Sequence, residues 1–316
     1  MSFVKNNKGL EGLIDEYSKL LENFENIIKE KRPRSTIYNT KLGKYLKELN
    51  NISSMKNENI AKLIGIVNKY NSINHLFNDN KNIYFKNSDI LKIIEGQFTF
   101  DETNDKSNDT LFELAMAVRF SLSKKIKSSQ INMQTNCDII VDDHIAVECK
   151  YIHSSLRINE NIKKAIKQVN VRIKNNEAKY GLIALDLTHI CQDDEIYKNV
   201  YFIFNMFLEN HKKLNRKFSD TDILNSVISD ENFVRVIHSY ISHVLEIKFL
   251  EKFDSSKLNE HTKAIIYQSN SFFLFSYKNA SIPIPTRALT YYINENLDDK
   301  EKQNIIELIH SLAVGI

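Results

Sequence analysis

Ile131-Asn132-Met133-Gln134-Thr135-Asn136-Cys137-Asp138-Ile139-Ile140-Val141-Asp142-Asp143-His144-Ile145-Ala146-Val147-Glu148-Cys149-Lys150-Tyr151 is the stretch whose reading decides the fold. On either side of it apolar residues recur at helical spacing; within it they alternate, the period of a strand. Two alternating runs separated by Asp142, Asp143 and His144 predict a β-hairpin with a three-residue turn. That turn length sets Val141 against Ile145, Ile139 against Val147 and Cys137 against Cys149, so all of these share one apolar face. Asp138 then stands opposite Glu148 on the other face, with Lys150 two residues further along the same side. A two-residue turn would put Asp138 and Glu148 on opposite faces and mix apolar with polar on both. The apolar pattern therefore selects the register that pairs two carboxylates.

Working outward, Thr110 and Glu113 have capping-box spacing ahead of Leu114, Ala115, Val118 and Leu122, which predicts a helix over about 110–125 after a polar loop at 101–109. After the hairpin, Ile158, Ile162, Ile166, Val169 and Ile173 form a second helical stripe, and residues 180–187 form a short buried strand. Helix, strand, strand, helix, strand is a mixed α/β unit. The expected fold is α/β, a central mixed sheet flanked by helices, with a helical N-terminal region (1–95), a core (96–192) and an α-rich C-terminal region (193–316) able to complete the sheet. Residues 9–31, 37–49 and 60–70 carry helical stripes. In the last third, helices are expected near 195–214, 221–229, 231–250 and 300–313, and strands at Ala264–Gln268 and Phe272–Tyr277.

Seven Gly and three Pro in 316 residues favour long helices with short connections. A net charge of +3 does not by itself imply a nucleic-acid partner. Three cysteines (Cys137, Cys149, Cys191) are too few for a disulfide scaffold, and no secretory leader or run of roughly 20 apolar residues is seen, so a cytoplasmic location is expected. No Walker-type glycine loop and no serine or cysteine elbow is present.

Glu-x-Lys alone means little, since it recurs at 177 and 246, with Asp-x-Lys at 79 and 298. The setting of Glu148-Cys149-Lys150 separates it: it ends an alternating apolar run, with Asp138 opposite. Facing carboxylates repel unless a cation or a shared proton lies between them. Such oxygen ligands suit Mg²⁺ or Mn²⁺, and a neighbouring lysine can neutralise charge developing on a phosphorane-like transition state.

Asp138, a nine-residue gap and Glu148-x-Lys150, after a helix bearing an acid, resemble the PD-(D/E)xK nuclease superfamily and its restriction-endonuclease-like fold. The resemblance spans about residues 108–190. It implies that Asp138 and Glu148 bind the metal with help from the Cys149 carbonyl, that Lys150 assists the attacking water, and that Glu113 is the helix acid. It departs at Cys137, where the family often has Pro. It further implies metal-dependent hydrolysis of DNA phosphodiesters, by analogy in restriction or antiphage defence. Cutting both strands together needs two sites, so a homodimer or a larger assembly is expected, with a partner defence protein as one option. An RNA-cutting effector and a catalytically silent nucleic-acid-binding or assembly subunit stay open. As a cap residue Glu113 has a purely structural alternative. Lys164, Lys167, Gln168 and Arg172 on the following helix are candidate DNA-backbone contacts, set against a merely solvated basic face. Cys137, Cys149, His144 and His153 cluster in sequence as zinc ligands would, but the register sends both cysteines to the apolar face.

Overall fold

A computed structural model describes residues 10–78, 82–100, 105–126, 129–191, 194–214 and 218–313. The turn at 142–144 forms as the spacing requires. Asp142 and Asp143 take left-handed backbone angles (φ 52° and 51°), a region that Asp tolerates better than most residues, and the His144 N–H donates to the Val141 carbonyl at 2.9 Å. The Asp142 carboxylate accepts the Gln130 N–H at 2.6 Å and the Ser129 hydroxyl, tying the turn to the segment before it. The strands pair in the expected register, Ile139 with Val147 and Val141 with Ile145.

The elements in chain order are α1 (Leu10–Lys31), α2 (Lys41–Asn50), α3 (Asn57–Asn71), β1 (Ile83–Tyr84), α4 (Asn87–Ile94), α5 (Ser107–Leu122), β2 (Ile131–Asn132), β3 (Ile139–Val141) and β4 (Ile145–Tyr151). They continue as α6 (Ile158–Lys174), β5 (Tyr180–Asp186), α7 (Asp194–Leu214), α8 (Asp220–Ile228), α9 (Glu231–Leu250), β6 (Thr262–Tyr277), β7 (Ala280–Ile293) and α10 (Asp299–Ser311). The strands form one mixed sheet in sequential order. β4, β5 and β6 are parallel neighbours, and the β2–β3, β3–β4 and β6–β7 pairs are antiparallel. Each face is covered by helices. Ile139, Val141, Val147, Cys149, Leu182 and Ala184 pack under α1–α5 and α10; Ile183, Leu185, Ile265 and Tyr267 pack under α6–α9. Burial on both faces explains why β4 and β5 read as nearly continuous apolar runs. Gly181 sits where α6 crosses β5, and a Cβ there would meet Val169 Cγ1 at 2.3 Å. Among the described residues no helix is long and apolar enough to cross a membrane.

Four expectations need correction. Helix α5 starts at Ser107, not 110, so Thr110 is a buried residue within the helix and not its cap; residues 101–104 of the expected loop lie outside the described residues. Asp105 takes the start instead, its Oδ1 accepting the Ser107 N–H at 2.9 Å while its carboxylate also pairs with Lys41. Cys137 does not share the face of Ile139 and Cys149, because β3 begins only at Ile139, after Cys137; the thiol packs with Ile140, Ala146 and Ala178. The two strands expected at 264–277 are one, with Ser269, Asn270 and Ser271 in an unbroken ladder, and its partner β7 was not expected at all. β7 carries Pro283 and Pro285, which argue against an interior strand and are tolerated at the sheet edge that β7 forms. The N-terminal helical region also contributes β1, paired parallel with β2.

Candidate active site

β3 begins only at Ile139, so the second half of β4 has no strand partner on that side among the described residues. The Cys149 N–H on this open edge is accepted by the Asp138 carboxylate at 2.8 Å instead of by a strand carbonyl. This notch in the sheet is where the two faces communicate. Acids of α5 from one side and residues of α6 from the other line a single cleft of about 280 Å³, with Lys150 between them.

Of the expected residues, Glu113, Cys149 and Lys150 line this cleft, while Asp138 and Glu148 flank Lys150 without lining it. Lys150 Nζ lies 3.3 Å from Asp138 Oδ2 and 3.5 Å from Glu148 Oε2. The Glu148 side chain is 0% exposed, and its Oε1 is buried with no hydrogen-bond partner. An ionised carboxylate oxygen left so is costly. Burial first, then the Asp138 charge, pushes the Glu148 carboxyl up to about 7, with Lys150 opposing. Glu113 is pushed up to about 8 by burial and then by Asp138, again against Lys150. Released from any capping role, Glu113 lines the same cleft as Lys150. For Lys150 itself burial disfavours the charge, but Asp138 and Glu148 outweigh it and raise its pKa. It is an ammonium at neutral pH, a positive charge and hydrogen-bond donor and not a base.

Two further groups, Asp109 and His153, line the cleft. Asp109, one turn before Glu113 on α5, stands 3.6 Å from His153 Nε2. Burial raises the Asp109 carboxyl, while His153 pulls it down. The sequence signal for Asp109 is its i−4 spacing from Glu113, which the polar character of 101–109 masks.

The α6 residues separate. Lys164 lines the cleft and pairs with Glu160 at 2.6 Å. Lys167 is exposed and Gln168 half-buried, and neither lines the cleft. Arg172 is drawn inward: it is buried, donates to the Asn136 carbonyl at 2.7 Å and lies 3.6 Å from Glu177. It braces the segment that delivers Asp138 and does not stand on the solvent face of the helix. Cys137 and Cys149 are buried free thiols; burial and then the Glu148 charge hold Cys137 above its ordinary pKa. His144 lies in the turn, edge-on to Tyr180 with ring centroids 5.6 Å apart.

Among the described residues no three His, Cys, Asp or Glu side chains form a ready-made metal sphere. The donor set still fits a divalent cation in kind. Asp138 and Glu148 bring oxygen ligands to one ammonium, and the partnerless Glu148 Oε1 is the acceptor a cation would satisfy. Comparison with family models, with curated proteins and with solved structures finds no match to this chain.

Proposed function

We propose that this chain is a metal-dependent nuclease that hydrolyses phosphodiester bonds, with DNA as its substrate, and that its α5–β5 segment is a restriction-endonuclease-like core. One observation carries the proposal: Asp138, Glu148 and Lys150 meet at an open strand edge with one buried carboxylate oxygen unsatisfied. Asp138, Glu148 and the Cys149 carbonyl would hold a Mg²⁺ or Mn²⁺ ion, with Glu113 beside them. The ion, when bound, supplies a Lewis acid for the phosphoryl oxygen and acidifies a water.

The chain's own residues do the remaining work. Lys150, fixed by Asp138 and Glu148, presents its ammonium to the cleft, where negative charge on a five-coordinate phosphorus would be stabilised. Asp138 is committed through one oxygen to the Cys149 N–H, which sets the carboxylate's orientation before any ligand arrives. Arg172 fixes the approach to Asp138 through the Asn136 carbonyl. Lys164 and Arg157 at the rim offer positive charge to a nucleic-acid backbone.

The test is cleavage of plasmid DNA and of a defined RNA with Mg²⁺ or Mn²⁺, compared with EDTA, for the parent chain and for Glu148→Ala and Lys150→Ala. Cleavage that needs metal and is lost in both variants supports the proposal, and the preferred polymer identifies the substrate. Equal cleavage by the variants defeats it.

A further inference from the structure

Because β4, β5 and β6 run parallel, Tyr151 at the carboxyl end of β4, Asp186 at the carboxyl end of β5 and Gln268 beside it on β6 open toward one side. Ligands of open α/β sheets bind in the crevice outside such strand ends. Here that crevice is a cavity of about 810 Å³ walled by α3, α7 and the outer half of β6. A size of several hundred Å³ is that of a small-molecule site. Gly65 on α3 lets the helix approach the Phe272 ring, since a Cβ there would meet that ring at 2.4 Å. The cavity is not the proposed catalytic cleft, but Tyr151 lines both.

The inner end of the cavity passes into a recess of about 50 Å³, the two sharing Lys69, Tyr151, Asp186, Asn270 and Phe272. The recess is lined by three cations, Lys69, Arg119 and Arg287, against one carboxylate, Asp186. Arg119 is 6% exposed and Arg287 9%. Burying like charges together is expensive unless an opposite charge joins them. Asp186 supplies part of that charge at one remove: its Oδ2 accepts from Gln268 Nε2 at 2.6 Å, while Gln268 Oε1 accepts from Arg119. Its Oδ1 is taken by the Thr188 N–H at 2.9 Å. Burial lowers the Arg287 guanidinium to about 10 and pulls Arg119 well below its usual value, with Arg287 adding to the effect on Arg119, and Lys69 donates to the Asn108 side-chain carbonyl in the same recess. Guanidinium pairs are the preferred protein partners of phosphate.

The outer cavity differs in chemistry from the recess. Tyr197, Tyr201, Phe204 and Phe272 offer aromatic surface suited to a planar ring, and Glu58 and Asp194 offer acceptors for hydroxyl or amino donors. A ligand matching both ends has a phosphate attached to a polar, ring-bearing body. We propose that this cleft binds a nucleoside phosphate, with its phosphate between Arg119, Arg287 and Lys69 and its base against Tyr197, Tyr201 and Phe272. The nucleotide is either free or one unit of a nucleic-acid strand that also reaches Lys150 past Tyr151. Neither form requires the metal chemistry of the hairpin, so the proposal can fail or hold independently of the nuclease reading.

The experiment is calorimetric titration of the full chain carrying Glu148→Gln, in EDTA, with AMP, ATP, inorganic phosphate and a short 5′-phosphorylated single-stranded oligonucleotide. Saturable binding of a mononucleotide at least about tenfold tighter than inorganic phosphate assigns a free nucleotide. Binding of the oligonucleotide with none of AMP or ATP assigns a strand unit, and either result supports the site. Adding Arg287→Gln or Lys69→Gln, each checked for a cooperative melt, weakens that binding by about tenfold or more; if the buried Arg287 change unfolds the chain, Lys69→Gln carries the test. Absence of saturable binding by any probe, neither mononucleotide nor oligonucleotide binding tighter than inorganic phosphate, or unchanged affinity in the folded variants overturns the proposal.

Discussion

Glu148→Gln should make the metal-free protein more stable at alkaline pH while abolishing its activity. The carboxyl is fully buried, and its folded value of about 7 stands above the ordinary 4.5. Below about pH 4 the group carries its proton in both the folded and unfolded chain, so the substitution changes the pH-dependent balance little. Between 4.5 and about 7 the folded chain keeps a proton that the unfolded chain has released, so the parent loses stability as pH rises. Above that window the whole penalty is present. The difference between the ordinary 4.5 and about 7 corresponds to roughly 3 kcal/mol. Urea denaturation in EDTA at pH 4 and pH 8 measures it: the stability of the Gln variant relative to the parent should rise by about 3 kcal/mol between the two. Adding Mg²⁺ at pH 8 should stabilise the parent and not the variant, closing much of the gap. A gap that does not change with pH, or one that shrinks as pH rises, would refute the burial argument.

Lys150→Ala should lower cleavage by about 100-fold or more while leaving the Mg²⁺-induced rise in melting temperature, because the oxygen ligands remain. Arg172→Met should cost about 2 kcal/mol in chemical denaturation and also lower cleavage, since the Asn136 carbonyl loses its charged donor and the approach to Asp138 loosens. Gly181→Ala should destabilise by about 1–3 kcal/mol, because a methyl at 2.3 Å from Val169 Cγ1 pushes α6 off β5; a neutral result would show that α6 shifts freely.

The hairpin and the helices were legible because their evidence is local. The stripes of α1, α6, α7 and α9 repeat within each segment, and only one turn length sorts the residues flanking 142–144 onto two faces. What escaped depends on distant partners or on competing local signals. Thr110 with Glu113 imitated a helix start and masked Asp109, whereas the true start leans on Asp105, itself held by Lys41 from α2. Ser269–Asn270–Ser271 looked like a break, but β7 supplies an unbroken ladder beside it and Asn270 faces the large cleft. Arg119 looked like an ordinary residue near the end of a helix; its burial requires Gln268, 149 positions away. Cys137 shows where a register argument ends: the paired faces hold only as long as the strand does, and β3 begins only at Ile139. That late start also opens the notch in which Asp138, Glu148 and Lys150 meet.

The most direct test of the central claim is a single cleavage assay of plasmid DNA with Mg²⁺, run for the parent, Glu148→Gln and Lys150→Ala chains and repeated in EDTA. The expected result is cutting by the parent with metal only, and none above background by either variant. Cutting that survives EDTA, or that proceeds equally well without Glu148 or Lys150, would contradict it.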